Sequence, residues 1–374
     1  MNFDFSDEQE MLRNEARKFL EGRCPSTRVR SVLEDPHRAY DEELWAELVG
    51  QGWTALSLPE EHGGLGMSRT DLCVLAEELG RVLAPVPFAS TVYVLAEALM
   101  IAGTEVQRRK LDAIAAGDCI GCLAISEGPG EPSFDRIEAS VSGGKLTGTK
   151  LPVVDGMAAT DALVLAKDED GTVRLFLVAL DHQTVQREVL DTLDPSRGAA
   201  RIVFDATPAD PIGEAGLIDP ILDGAAVLIA FEQVGGADRA LEQAVEFAKE
   251  RHAFGRAVGS YQAIKHKLAD AYVNNQVARS NAYYGIWALD AGSDELPQAA
   301  SAARVSACHA FWYAGRESIQ THGGIGFTWE ADQHLFYRRS LVLDMAVGSP
   351  RFWRDRLFGA VERFAADDEA RKAV

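Results

Sequence analysis

The chain is poor in positive charge: 37 Lys and Arg stand against 57 Asp and Glu, a formal charge of −20 with a pI near 4.8. Phosphate backbones are neutralised by clustered cations, so this balance argues against broad nucleic-acid binding while leaving room for a local basic pocket. No uninterrupted apolar run approaches the roughly 20 residues that cross a bilayer. Met1 opens into "MNFDFSDEQEMLRNEARKFL", acidic and amphipathic, without the basic and apolar regions of a signal peptide. Cysteine is scarce and odd in number (Cys24, Cys73, Cys119, Cys122, Cys308), which with no secretory context points to a reducing cytoplasm. Cys119 and Cys122 form a CxxC that lacks a second pair at zinc spacing, so two small buried side chains are expected there rather than a metal site. Neither an internal repeat nor a low-complexity tract is visible.

What is present is a chain of 374 residues, 47% hydrophobic, long enough for two or three domains with buried cores. From Phe5 to about Ala116 apolar residues recur at helical spacing, with Ser6 as an N-cap and breaks at Pro59, Gly63, Gly64, Gly66, Pro85 and Pro87. Between about Gly117 and Glu214, short β-rich runs such as "DALVLA", "VRLFLVAL" and "ARIVFDA" alternate with Gly-Gly, Asp-Gly and Pro turns, which predicts a small barrel or sandwich. Long helices return over about 218–250, 260–291 and 296–321, with a shorter one beyond Pro350, the pattern of an antiparallel bundle. The expected organisation is mainly α with a central β domain: a helical domain over 1–116, a β domain over 117–214 and a four-helix bundle over 215–374.

Two stretches carry the chemistry. In "ERHAFGRAVGSYQAIKHKLAD", Arg251 offers a planar five-donor fork suited to a diphosphate, Phe254 an aromatic face and Gln262 an amide. Gly255 and Gly259 let other groups approach the backbone. In "IQTHGGIGF", Gln320 with Gly323 and Gly324 supplies an amide and bare backbone N–H groups, a usual way to hold phosphate oxygens or a nucleotide edge. The plainer alternative is a helix end with Arg251 paired to an acidic neighbour and a Gly-rich C-cap. His252 is expected on the exposed side of its turn and His322 in a loop.

With "PEEHGGLGMS" and "KLTGTK" in the same order, these stretches resemble the acyl-CoA dehydrogenase family over essentially the whole chain. The resemblance implies FAD as cofactor, an acyl-CoA substrate, a tetramer and an electron-transfer flavoprotein as electron acceptor. It also implies that Arg251, Phe254, Gln262, Gln320, Gly323 and Gly324 bind the ADP portion of a FAD held mainly by a neighbouring subunit.

The family's flavin-ring contacts are a Thr-Glu followed by a Gly-Ser, then a Trp-x-Thr. Here the first stretch keeps Ser126 and Glu127 but has Glu131 and Pro132 near the Gly-Ser position. The second has Pro152 for the Trp and Val154 for the Thr, removing a flat aromatic shield and a hydroxyl donor. Oxidation between the α and β carbons of a thioester needs a carboxylate to take the α proton. Of the two family locations for it, one is occupied by Val347, in "MAVGSPRF", and the other by Ala225, with Ala226 where an Arg is often found. Glu232, two turns and about 10 Å along the helix from Ala225, and Asp344 are the remaining nearby carboxylates. A structural pairing of Glu232 is the simpler expectation. Arg338 and Arg339, in "LFYRRS", are either a phosphate-binding spot for CoA or an exposed ion pair at a helix end.

Three functions fit this pattern. The chain is a subunit that completes the FAD site of a homologous second subunit; or a homo-oligomeric dehydrogenase with a relocated base; or a non-catalytic structural or regulatory member of the fold.

Overall fold

Caps written in the sequence fix where the helices begin in this computed structural model, which describes residues 6–128 and 134–372. Ser6 Oγ accepts from Gln9 N at 3.2 Å while Gln9 Oε1 accepts from Ser6 N at 3.0 Å, the reciprocal pair that opens α1 (Asp7–Arg23). After α2 (Ser26–Leu33), Asp41 caps α3 (Glu42–Gly50) by accepting from Leu44 N at 2.9 Å. Then come α4 (Arg69–Arg81), a π-helical run (Ala89–Ala96) that continues into α5 (Glu97–Ala102), α6 (Glu105–Arg108) and α7 (Lys110–Ala115).

The central strands are β1 (Gly121–Ala124), β2 (Ser140–Ser142), β3 (Lys145–Val154), β4 (Asp161–Lys167), β5 (Val173–Ala179), β6 (Val185–Leu190), β7 (Ala199–Pro208) and β8 (Asp210–Pro211). They form one sheet in the order β6-β7-β3-β2-β4-β5-β8, with β1 parallel to β4. β4 is buried along almost its whole length, as a strand covered on both faces must be. The pairing of β3 with β7 is irregular between Lys150 and Val153, just where Pro152 interrupts the strand.

The remaining elements are α8 (Ile218–Glu250), the hairpin β9 (His252–Ala253) and β10 (Arg256–Ala257), α9 (Gln262–Asp290), α10 (Leu296–His322), α11 (Gln333–Met345) and α12 (Pro350–Lys372). The helix α11 is additional to those expected. α8 is the one helix among the described residues long and apolar enough to cross a membrane, yet 94% of that stretch is buried, the mark of a core helix.

The Cα positions separate into two compact units: residues 1–22, 73–84 and 226–374, and residues 23–72 and 85–225. Within the first, α4 and α8 touch backbone to backbone. A Cβ on Gly80 would lie 1.9 Å from the Glu232 carbonyl oxygen, and one on Gly235 1.9 Å from that of Glu77. Charged side chains flank this crossing: Arg279 donates to Glu77 at 2.7 Å and to Asp238, Arg17 grips Glu78 at 2.7 and 2.9 Å, and Arg81 meets Glu242 at 2.7 Å. Burial holds the Asp238 carboxyl above its ordinary value against the pull of Arg279, a sign of how dry this cluster is. Further along, Leu241, Ala244 and Ala248 of α8 pack on Leu268 and Ala271 of α9, holding the end of α8 that leads into the hairpin.

Within the second unit, Lys150 is fully buried and its Nζ lies 2.7 Å from Glu127, which also accepts from Glu138 N and Ala139 N at 2.6 and 3.0 Å. Burial pushes the Lys150 ammonium below its ordinary value. It pushes the Glu127 carboxyl up, but Lys150 and the two N–H groups outweigh that and hold it down. Glu127 is thus a staple on β3 with its oxygens committed.

Gly235→Ala is expected to lower the unfolding free energy by about 1–3 kcal/mol or more, because backbone cannot yield to a methyl as a flexible side chain can. Urea unfolding of the variant checks this; an unchanged midpoint would show that the helices separate at no cost.

Candidate functional site

The hairpin after α8 is shaped by two residues with left-handed backbone, Phe254 at φ 52° and Gly255 at φ 78°. The glycine adopts this freely, whereas the phenylalanine does so at a cost that tight turns and ligand clamps tolerate. The result holds the Phe254 ring 96% exposed. The turn itself is firm: Val258 N donates to the Arg251 carbonyl at 2.7 Å, the Tyr261 hydroxyl donates to the Ala253 carbonyl at 3.0 Å, and the Arg256 guanidinium lies 3.9 Å over the Tyr261 ring. Gly259 passes so close to α8 that a Cβ there would stand 2.9 Å from the Ala248 carbonyl. Rigid scaffolding around an exposed aromatic ring is what a contact surface requires and a mere connection does not.

Arg251, Gln262 and Gln320 are exposed, and the side chains of all three are without a hydrogen bond or ion pair among the described residues. The expected alternative of Arg251 paired to an acidic neighbour is therefore not what the structure has. His252 is exposed, its Nδ1 2.9 Å from the Glu250 carbonyl. His322 stacks on Phe247 of α8 at 4.2 Å between centroids, with Nδ1 2.8 Å from the Ser318 carbonyl. That stack sets the end of α10 against the last turns of α8, from which the Arg251–Phe254 hairpin springs. His322 is thereby a packing residue. Beyond it Gly323 turns at φ 62°, and Gly324 follows with its backbone exposed. Near the two turns Phe327 and Trp329 are exposed too, as are Tyr272, Val273 and Val277 on α9.

The positions without their expected chemistry are plain. Ala225, Ala226 and Val347 are buried and apolar. Pro152 and Val154 close β3 with no hydroxyl and no aromatic ring, while Glu131 and Pro132 lie outside the described residues. Glu232 is buried in α8 at the crossing with α4.

Asp344 belongs to a polar core that sequence reasoning did not assemble. Arg304, fully buried in α10, donates to Gln233 Oε1 and to the Leu343 carbonyl at the C-terminus of α11, where a cation suits the helix dipole. Gln233 Nε2 in turn donates to Asp344 at 3.1 Å. Burial raises the Asp344 carboxyl above its ordinary value, only partly offset by Arg304, and burial pushes the neighbouring Cys308 thiol up to about 12. The available signal was a lone Arg among small residues in "ASAARVSACHAF".

Arg339 corrects an expectation: it forms neither a phosphate spot nor an exposed ion pair. It is buried, donating to the carbonyls of Leu83 and Ala84 at 3.1 and 3.3 Å just beyond α4. Arg338 lies 5.2 Å over the Trp329 ring. Cys119 and Cys122 are buried, Cys119 donating to Asp161 at 3.3 Å, its thiol pushed by burial up to about 12.

Comparison with known proteins gives consistent findings. The profile described as "Acyl-CoA dehydrogenase, N-terminal domain" matches residues 6–118, and "Acyl-CoA dehydrogenase, C-terminal domain" matches residues 217–357. Acyl-CoA dehydrogenase IpdE2 of Mycobacterium tuberculosis is 35% identical over 348 residues, covering 92% of this chain and 94% of its own. A variant of the Tcur3481–Tcur3483 steroid ACAD superposes with a TM-score of 0.89 at 32% identity, over 96% of this chain and 99% of that one. The ChsE4–ChsE5 complex from Mycobacterium tuberculosis has a TM-score of 0.88 at 24% identity, over 97% and 99%, and so shares the fold.

Two outcomes check the polar core. Arg304→Met is expected to cost roughly 1–3 kcal/mol in urea unfolding, because it takes the charged donor from the buried Gln233 Oε1 and leaves it only the weak Cys308 thiol at 3.9 Å. Asp344→Asn has the opposite sign. A carboxyl raised on folding binds its proton more tightly in the native state, so native stability falls as pH climbs from the unfolded pKa through the folded one. The variant removes that loss, and its advantage over the parent should be small at pH 4 and grow towards pH 7.

Proposed function

Because the chain belongs to the acyl-CoA dehydrogenase family of oxidoreductases, we propose that it takes part in α,β-desaturation of an acyl-CoA thioester as a subunit beside a homologous partner chain. The observation that carries the reading is an asymmetry. Arg251, Phe254, Gln262 and Gln320 on the ADP side are present and exposed, while Pro152 and Val154 on the ring side and Ala225 and Val347 at the base positions lack the family's chemistry.

Arg251 is a planar fork with no partner of its own among the described residues, apt for pyrophosphate oxygens. Phe254 supplies a flat apolar face held out on a firm turn, Gln262 and Gln320 supply amides, and Gly323, its N–H spent on the Gln320 carbonyl, turns the chain so that the backbone of Gly324 is exposed. These residues fit the ADP half of FAD. Pro152 and Val154 do not fit the ring half. When bound, the flavin supplies the acceptor for the hydride from the β carbon. This chain's residues bind and orient the dinucleotide, and with Ala225 and Val347 at the family's base positions the α proton goes to a carboxylate of the partner.

Exposed apolar side chains on α9 and around the two turns support an assembly, which we read as an α₂β₂ tetramer in the cytoplasm passing electrons to an electron-transfer flavoprotein. The compound name of the Tcur3481–Tcur3483 relative supports two unlike chains, and its description as a steroid ACAD supports a bulky polycyclic acyl group as substrate. The homo-oligomeric reading needs Glu232 or Asp344 as base. Against it, Glu232 sits at a dry helix crossing and Asp344 is tied to Gln233.

Purified by itself, the chain is expected to be colourless and inactive. Co-expressed with a homologue that keeps the Trp-x-Thr and the catalytic Glu, it should yield a yellow complex with dehydrogenase activity. In that complex Arg251→Gln should weaken FAD retention roughly tenfold, the loss of about one charge-assisted hydrogen bond. A yellow, active preparation of this chain alone would overturn the reading.

A further inference from the structure

We propose that Tyr261 is a positioning residue: a strut from the start of α9 to the hairpin after α8, it holds the Phe254 ring in the attitude that meets the dinucleotide. This role rests on the reading of Arg251 and Phe254 as the ADP side of a FAD site. Tyr261 acts there through Phe254 rather than on the ligand.

The tip of the hairpin cannot hold itself. Phe254 stands at φ 52°, a backbone region that a bulky residue rarely enters, and Gly255 beside it at φ 78° offers no stiffness of its own. β9 and β10 are two residues each, pairing Ala253 with Arg256 and His252 with Ala257, too short a ladder to be stable alone. With the Phe254 ring 96% exposed, packing does not fix it either. Strained backbone persists where its surroundings over-determine it, so the constraint must come from outside the ladder.

Tyr261 supplies it. Its hydroxyl donates at 3.0 Å to the Ala253 carbonyl, the oxygen of the peptide group that joins Ala253 to Phe254. Its ring carries the Arg256 guanidinium 3.9 Å above it, which fastens the other arm. One side chain thus grips the hairpin on both sides of its tip. The foot of the strut is anchored as well. Tyr261 N donates to the Val258 carbonyl at 3.2 Å, and the Tyr261 carbonyl accepts from Ile264 N and Lys265 N at 3.1 and 3.0 Å where α9 begins. Val258 and Ile264, on either side of Tyr261 in sequence, pack on the cluster of Leu241, Ala244, Ala248, Leu268 and Ala271. The connection therefore runs from core to tip. A phenylalanine in this place would fill the same space and keep a ring under Arg256, losing only the bond to Ala253. The hydroxyl is the part of Tyr261 that space-filling does not need.

Two measurements on Tyr261→Phe test the role. In the full-length chain by itself, hydrogen exchange read by mass spectrometry follows the Val258 amide, which closes the hairpin on the Arg251 carbonyl at 2.7 Å. Its exchange should quicken roughly 3- to 10-fold, the loss of about one hydrogen bond. In the yellow complex with the homologous partner, FAD retention on dialysis should weaken by a similar factor of roughly 3 to 10, with thermal melting checking that the variant folds. The double variant separates positioning from general support: with Phe254→Ala already present, adding Tyr261→Phe should change FAD retention less than about twofold, because no ring is left to place. Unchanged exchange, unchanged retention, or a full loss repeated in the Phe254→Ala background overturns the proposal. Parent-like FAD retention in Phe254→Ala alone is a separate failure, that of the dinucleotide reading itself, and it overturns the role of Tyr261 whatever the exchange rates show.

Discussion

The contact between α4 and α8 is the constraint on which the first unit rests. Two helices can approach until backbone meets backbone only if both surrender their side chains at the crossing, and Gly80 and Gly235 do so reciprocally. Such an approach removes water from everything beside it, so Glu77, Glu78 and Asp238 reach the dry zone only with Arg279 and Arg17 as company. Close packing and buried charge are two faces of one arrangement. The same arrangement fixes the rotation of α8, and thereby the direction in which its far end delivers Arg251 and Phe254.

The second unit solves its problem differently. Its sheet is covered on both faces over β4, and irregular pairing at Lys150 to Val153 is compensated by ionic staples: Lys150 with Glu127, and Arg197 with Asp155. The first ties β3 to the stretch after β1, and the second ties the turn after β3 to the turn before β7. Positions that would shield a flavin ring can thus carry proline and valine while the strand keeps its place, since Glu127 and Asp155 brace it on either side.

The helix boundaries at Ser6 and Pro350 were legible because caps and breakers are local and act on residues within one turn. The turns after α8 and α10 were legible as turns because glycines at short spacing leave few alternatives. Their exposure and their lack of internal partners were not, since both are properties of the folded surface. Arg339 was misread for a related reason. Charge in sequence suggests solvent, and only the tertiary fold reveals that Leu83 and Ala84 leave carbonyl groups where that guanidinium arrives. The core of Arg304, Gln233 and Asp344 draws on three helices and spans 111 residues of the chain, so no short window of sequence contains it. α11 was passed over because its apolar stretch is interrupted by two arginines, one of which turned out to face inward.

The posture of Phe254 has a consequence for the life of the chain in a cell. A ring held almost wholly in water on a strained turn, with Phe327, Trp329, Tyr272, Val273 and Val277 also exposed, is a surface that chaperones and proteases read as unfinished. Copies made in excess of whatever covers that surface are drawn toward aggregation or degradation. Under the proposed assembly, supply of the partner chain would set how much of this chain persists.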